Sequence, residues 1–214
     1  MRLMGRRRLL FALAGIGLGA LGIRGATRRP APKLITFACQ GATRMTDRIL
    51  VTYATRTGST AEVASAIVDQ LCKAGLSAEA RPVGEVTSLE SYSGAVLGSA
   101  VRYASWLPEM TDFVAANRDA LCAMPVAFFT MHMLALGDDP AAVEERAKYT
   151  AKARDMIPPI DEAFFEGMID PARLSFFDRF AVRLVKSPVG DRRDWERIGA
   201  WTDSLAPQLA PEPT

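Results

Sequence analysis

Residues 48–64, Arg48-Ile49-Leu50-Val51-Thr52-Tyr53-Ala54-Thr55-Arg56-Thr57-Gly58-Ser59-Thr60-Ala61-Glu62-Val63-Ala64, constrain the chain more than any other stretch. The apolar, β-favouring run at 49–53 is short enough for one buried strand. A hydroxyl-rich loop around Arg56 and Gly58 follows. Ala64, Ile67, Val68 and Leu71 then recur at i, i+3, i+4 and i+7, one face of a helix, with Lys73 in its last turn and Gly75 at C′. Together these pieces form an anion site. The first N–H groups of a helix lack internal acceptors, and the helix dipole favours negative charge there. Thr55, Thr57, Ser59 and Thr60 add hydroxyl donors, and Gly58 lets the backbone close around phosphate oxygens. The absence of a Walker lysine after Gly58 and of any G-x-G-x-x-G speaks against nucleoside triphosphates and dinucleotides. A turn that merely caps a helix is the bland alternative; the agreement of strand, loop and helix opposes it.

Strand and helix patterns alternate along the rest of the chain. Residues 77–83 read as an outer strand with Pro82 at an edge, and 95–98 as a buried strand. Pro108 opens a helix carrying Met110, Phe113, Val114 and Leu121, and 126–131 is a strand of almost unbroken hydrophobicity. Asp138-Asp139-Pro140 starts a helix running to about Met156. Residues 163–168 supply the last strand, and Asp194 and Trp195 open a closing helix with Ile198, Trp201 and Leu205 inward. Such alternation predicts an α/β fold, a parallel sheet wound on both faces, and 214 residues suffice for one such domain.

The T-x-T-G-x-T run at residues 55–60, directly after the first strand, resembles the phosphate loop of the flavodoxins. That resemblance implies a flavodoxin-like three-layer sandwich with a five-stranded parallel sheet of order 2-1-3-4-5. It also implies noncovalent flavin mononucleotide (FMN) at the rim where the loops after Tyr53, Gly98 and Phe129 converge. Cofactor contacts are then expected from Thr55, Arg56, Thr57, Gly58, Ser59 and Thr60. The second loop would add Ser99, Ala100, Val101, Arg102, Tyr103 and Ala104, and the third Thr130, Met131 and His132. Tyr103 is the aromatic candidate for a ring face, whereas Trp106 is either a ring partner or a plug for the following helix. Arg102 suits the negative charge of a reduced flavin or of an acidic substrate. His132 is read as a loop residue, and no catalytic residue or metal ligand is assigned.

Gly98-Ser99-Ala100-Val101-Arg102-Tyr103, Met124-Pro125-Val126-Ala127-Phe128-Phe129, Phe177-Asp178-Arg179-Phe180 and Asp194-Trp195-Glu196 occur in that order. This series resembles the menaquinone-dependent protoporphyrinogen IX dehydrogenase branch of the flavodoxin superfamily, over roughly residues 45–206. The implied function is an FMN oxidoreductase, a dehydrogenase with a quinone acceptor and a porphyrinogen as candidate substrate. The alternative is an electron carrier that serves redox-protein partners and has no organic substrate. That branch carries an insert between the last strand and the last helix, here 170–193. On a helix, Phe177, Phe180, Ala181 and Leu184 share one face while Arg179, Arg183 and Lys186 line another. Residues 171–188 therefore suit a membrane surface, a quinone or a propionate-bearing porphyrin. The alternative packs the phenylalanines onto the domain. The insert also reaches Asp194-Trp195 sooner than the branch pattern, without its longer polar tract.

Charge divides unevenly. Residues 1–44 carry nine Lys/Arg and no acid, leaving 17 basic and 24 acidic residues beyond them. An acidic domain argues against nucleic acid as partner. Arg6-Arg7-Arg8 ahead of the apolar stretch 9–23 resembles a signal peptide of the twin-arginine type. No A-x-A site follows, and Arg24, Arg28, Arg29 and Lys33 put positive charge behind the apolar core. Signal, uncleaved anchor and upstream extension of a misplaced start at Met45 all stay open. In each, 24–44 is expected to be a linker outside a domain spanning 45–206, with a loose tail at 207–214. Cys39, Cys72 and Cys122 lie far apart with no C-x-x-C, so idle thiols in a reducing compartment are expected rather than a disulfide or a zinc site. These features favour the cytoplasmic face of a membrane, with twin-arginine export as the competitor.

Overall fold

A computed structural model of the chain describes residues 31, 32, 34–39 and 47–210. Strand β1 (Phe37–Cys39) is followed by β2 (Arg48–Ala54), helix α1 (Ser59–Lys73), β3 (Ala78–Pro82), β4 (Tyr92–Arg102) and β5 (Ser105–Trp106). Next come α2 (Pro108–Ala116), α3 (Arg118–Cys122), β6 (Val126–His132), α4 (Pro140–Tyr149), α5 (Ala151–Arg154) and β7 (Asp161–Glu166). Strand β8 (Met168–Ile169) leads into the insert, which holds α6 (Phe176–Leu184) and β9 (Gly190–Asp191), and α7 (Trp195–Leu209) closes the domain.

The central sheet runs β1-β3-β2-β4-β6-β7, and from β3 to β7 every neighbouring pair is parallel. Counting those five parallel strands in chain order gives 2-1-3-4-5, the expected order, within an α/β flavodoxin-like fold. Three pieces extend it. β1 adds an antiparallel edge to β3, β5 folds back on the end of β4, and β8 pairs with β9 as a separate ribbon.

Both sheet faces are apolar, as crossover helices on each side require. Ile49, Val51 and Tyr53 of β2 pack with Phe129 and Met131 beneath Ile67, Leu71, Ile198 and Leu205 of α1 and α7. Leu50, Leu97 and Phe128 face the other way, against Leu107, Met110, Val114 and Ile157. A fully buried leucine such as Leu71 contributes enough that truncation to alanine costs about 2–5 kcal/mol. Gly98 is dictated by close approach: a Cβ there would lie 1.9 Å from the Phe129 ring. Helix ends follow local chemistry. The Asp139 carboxylate accepts from the N–H groups of Ala141 and Ala142 with Pro140 at N1, and Asp194 caps α7 through the Arg197 N–H.

The expected linker at 24–44 is corrected at its far end. Phe37–Cys39 pairs with β3, and the Tyr53 hydroxyl both donates to the Ile35 carbonyl and accepts from the Ile35 N–H, each at 2.8 Å. Residues ahead of Met45 thus take part in the fold. The expectation of idle thiols also fails, because Cys39 and Cys72 form a disulfide with Cα atoms 6.3 Å apart, tying β1 to the last turn of α1. Cys122 remains free and exposed. The signal or anchor stretch at 1–30 lies outside the described residues. Other boundaries shift modestly: β4 begins at Tyr92, the helix after Pro108 breaks at Asn117, the next breaks at Thr150, and β6 includes His132. Of the expected loose tail, Pro207 sits inside α7, and residues 211–214 lie outside the described set.

Candidate functional site

The loop between β2 and α1 is built around Gly58, whose φ of 91° is left-handed and suits glycine. Its N–H donates to the Thr55 hydroxyl at 3.0 Å, closing the turn. The first rung of the helix ladder is Glu62 N–H to the Gly58 carbonyl at 3.2 Å, so the N–H groups of Ser59, Thr60 and Ala61 lie ahead of the ladder. The Thr60 hydroxyl is fully buried and has no hydrogen-bond partner among the described residues. Burying a hydroxyl unpaired costs about 1–3 kcal/mol, a penalty removed by an acceptor oxygen at the helix start. A phosphate monoester such as that of FMN fits these donors.

Charge around this loop is managed by ion pairs. Arg56 forms a two-point pair with Glu109 of α2, one contact being Nη2 to Oε2 at 2.8 Å. The hydrogen bond from Arg56 holds the Glu109 carboxyl below its ordinary value. Glu62, in the first turn of α1, would repel a phosphate. It is covered by Arg173 Nη1 at 3.0 Å and Arg193 Nη1 at 2.6 Å, both from the insert. Burial pushes the Glu62 pKa up, but the hydrogen bonds from Arg193 and Arg173 outweigh it and leave the group lowered.

The second stretch is mostly strand rather than loop. Ser99, Ala100, Val101 and Arg102 end β4, and only Tyr103 and Ala104 form the turn into β5, both with φ of 53°. Tyr103 stands 87% exposed above the site, with the Arg102 guanidinium 5.0 Å from its ring centre. Trp106 resolves as the plug: it is buried, tilts against Phe128 at 4.8 Å and donates its indole N–H to the Thr130 hydroxyl at 2.8 Å. The Ser99 hydroxyl accepts from the Leu107 N–H at 3.0 Å and is fully buried. Ser99 and Thr130 therefore spend their side chains inside the wall.

In the third stretch Thr130, Met131 and His132 belong to β6. His132 is buried, and its Nδ1 lies 2.8 Å from the Leu134 carbonyl oxygen. Burial lowers the His132 pKa, opposed in part by that carbonyl and helped by Arg146 and Arg197. The ring is neutral near neutral pH. With its proton on Nδ1 for Leu134, Nε2 is left as an acceptor.

These stretches meet in a largely apolar cavity of about 430 Å³. One end is lined by Arg56, Thr57 and Ser59, one side by residues 100–104, and the floor by residues 131–135 with Tyr149. The insert, with Met168 and Ile169 just ahead of it, forms the remaining wall through Leu174, Asp178, Ala181, Val182, Val185 and Ser187. It is fastened to each of the three stretches. Arg173 donates to the Thr57 carbonyl at 3.3 Å, Arg102 to Asp178 at 3.1 Å, and the Ser187 hydroxyl to the Met133 carbonyl at 3.2 Å. Among the described residues, no group of His, Cys, Asp and Glu side chains is arranged to hold a metal ion.

A family model described as the flavodoxin domain matches residues 50–195. The chain belongs to the flavodoxin-domain family. This flavodoxin domain is similar to protoporphyrinogen IX dehydrogenase [quinone] of Escherichia coli K12, at 26% identity over 180 residues, covering 78% of this chain and 98% of that one. The protein of the same name from Leishmania major is 26% identical over 164 residues, with 74% and 71% coverage. Among solved structures, a short-chain flavodoxin associated with a PDU bacterial microcompartment superposes with a TM-score of 0.51 at 13% identity, covering 77% of this chain and 99% of the other. An NADH:FMN oxidoreductase, EMOB, in its apo form, gives 0.51 at 12% identity, with 78% and 92% coverage. These two superpositions bear on the fold.

Residues 100–104, Met131 and His132 line the cavity of this flavodoxin domain together with Arg56, Thr57 and Ser59. Thr55, Gly58 and Thr60 belong to the same loop and helix start but are not among the residues that line the cavity. The inner face of α6 was not foreseen as a site. Asp178, Ala181, Val182 and Val185 fall at i, i+3, i+4 and i+7, a spacing that could have been read as a second helix face turned inward. The phenylalanines do not pack on the domain: Phe176, Phe177 and Phe180 are 68%, 53% and 63% exposed.

Proposed function

We propose that this chain binds FMN noncovalently, oxidises an organic substrate and passes the electrons to a quinone. FMN, when bound, supplies the redox chemistry through its isoalloxazine ring. Thr55 to Thr60 would hold its phosphate, the Thr60 hydroxyl and the N–H groups of Ser59 and Thr60 donating. Ile169 and, from the insert, Leu174 and Val182 exclude water from the cavity. Arg102 offers positive charge to an acidic substrate at the cavity wall, and His132 Nε2 offers a hydrogen-bond acceptor.

The observation that carries this reading is the fastening of the insert to all three stretches of the site. A carrier that trades electrons with protein partners needs an open flavin edge; an enzyme needs a walled, apolar pocket for a small molecule. The names of the similar proteins of Escherichia coli and Leishmania major support a quinone acceptor and a porphyrinogen substrate. The acidic balance beyond residue 44 favours the second reading, a carrier docking on basic redox proteins.

The test is anaerobic turnover of purified yellow protein with reduced porphyrinogens and a menaquinone analogue. Repeated turnover supports the enzyme. Rapid exchange with redox proteins and none with any organic donor supports the carrier. For location, the cytoplasmic membrane face and twin-arginine export stand as alternatives. The Cys39–Cys72 disulfide favours export, since such bonds persist in oxidising spaces. Protease added to intact spheroplasts separates the two.

A further inference from the structure

Helix α6 has three sectors. Asp178, Ala181, Val182 and Val185 line the cavity. Phe176, Phe177, Phe180 and Leu184 project away from it, Leu184 being 72% exposed. Between these sectors lie Arg179 and Arg183, with Lys186 just beyond the helix end, all exposed and without an ion pair to any described residue. The acids of the insert are engaged elsewhere: Asp170 with Arg173, Asp178 with Arg102, and Asp191 with Arg193. The outward side of the helix is therefore apolar and net positive. Val189, 58% exposed, adds further apolar surface in the chain just beyond its end. A patch of large side chains left in water costs stability unless something covers it.

We propose that α6 is an interfacial helix seating the domain on an anionic lipid bilayer. Phe176, Phe177, Phe180 and Leu184 enter the acyl boundary while Arg179, Arg183 and Lys186 meet lipid phosphates. Lipid is favoured by charge complementarity and by the flanking of a narrow apolar stripe with unpaired cations. Because the opposite side of the same helix walls the cavity, docking brings that cavity to the depth of a lipid-dissolved ligand. Such a ligand reaches it past α6 without crossing water. The second consequence rests on the proposed quinone-linked function; the docking does not.

The test is hydrogen exchange by mass spectrometry on full-length, flavin-loaded protein. It is run without vesicles, with phosphatidylcholine vesicles, and with vesicles containing phosphatidylglycerol. At low salt the amides of Phe176–Leu184 should slow at least tenfold on phosphatidylglycerol vesicles and change little on phosphatidylcholine alone. The variant F177S/F180S/L184S should lose that protection while keeping its flavin, and R179E/R183E should lose the preference for anionic lipid. Protection confined to residues 1–44 would overturn the proposal. Protection of α6 already present without vesicles would overturn it too, showing the face covered by another part of this chain, a second copy or a protein partner. Failure of quinone turnover leaves this readout unaffected, so the two readings fail separately.

Discussion

The guanidinium of Arg102 meets the carboxylate of Asp178 at 3.1 Å, joining the end of β4 to the first turn of α6. Asp178 is also the N3 residue of the helix: its N–H donates to the hydroxyl of the N-cap Ser175, which donates in turn to Asp178 Oδ2 at 2.7 Å. One side chain thus orders the helix start and pins it over the site. Asp178→Ala keeps the backbone cap but removes the ion pair and the acceptor of the Ser175 hydroxyl, and should loosen the insert by about 1–2 kcal/mol. Exchange rates across α6 should rise roughly tenfold while flavin affinity stays close to that of the parent. An unchanged α6 would show that the pair does not hold the insert.

Thr60→Val separates two roles of one hydroxyl. In the apoprotein the change removes a buried, unpaired group and should leave stability equal or slightly higher. With cofactor it should weaken FMN binding by about tenfold to a hundredfold, since a hydrogen bond to a charged acceptor is worth about 1.5–3 kcal/mol. Thermal melts with and without FMN check both signs.

The Cys39–Cys72 disulfide predicts a thiol count. Denatured, unreduced protein should show one reactive thiol, Cys122, and reduced protein should show three. Reduction should lower stability by about 4 kcal/mol in the chain-entropy picture and release β1 from β3. Three thiols before reduction would remove the restraint and, with it, the observation favouring an oxidising space.

Acid should detach the insert. The folded Glu62 pKa lies below the ordinary value of 4.5, so the stability it contributes is present above 4.5 and is lost as pH falls through the folded value. Thermal melts from pH 6 down to pH 3 should show this loss, and Glu62→Gln should flatten part of the curve. Equal pH dependence in parent and variant would remove Glu62 from the account.

The site was legible in sequence where it is local and obscure where it depends on packing. The strand–turn–helix from Arg48 to Lys73 could be read because strand, glycine turn and helix start are consecutive residues with separate signals. Ser99 and Thr130 carry the same hydroxyl chemistry as Thr60, yet their partners, Leu107 and Trp106, come from a hairpin whose tight turn at Tyr103 and Ala104 was not foreseen. Cys39 lies 33 residues from Cys72, and the two meet because β1 adds to β3, the strand that Pro82 marked as the outer edge. The insert was recognised as amphipathic from its phenylalanines. Its inward face escaped notice because alanine and valine at 181, 182 and 185 carry no chemical signal without the cavity they line.

The central claim is that the loop from Thr55 to Thr60 reads the phosphate of a flavin mononucleotide. Calorimetric titration of the flavin-free protein with FMN and with riboflavin tests it, because the two ligands share a ring and differ in that phosphate. The structure predicts binding of FMN in a one-to-one ratio and an affinity for riboflavin at least a hundredfold weaker. Equal affinity for both, or no binding of FMN, would contradict it.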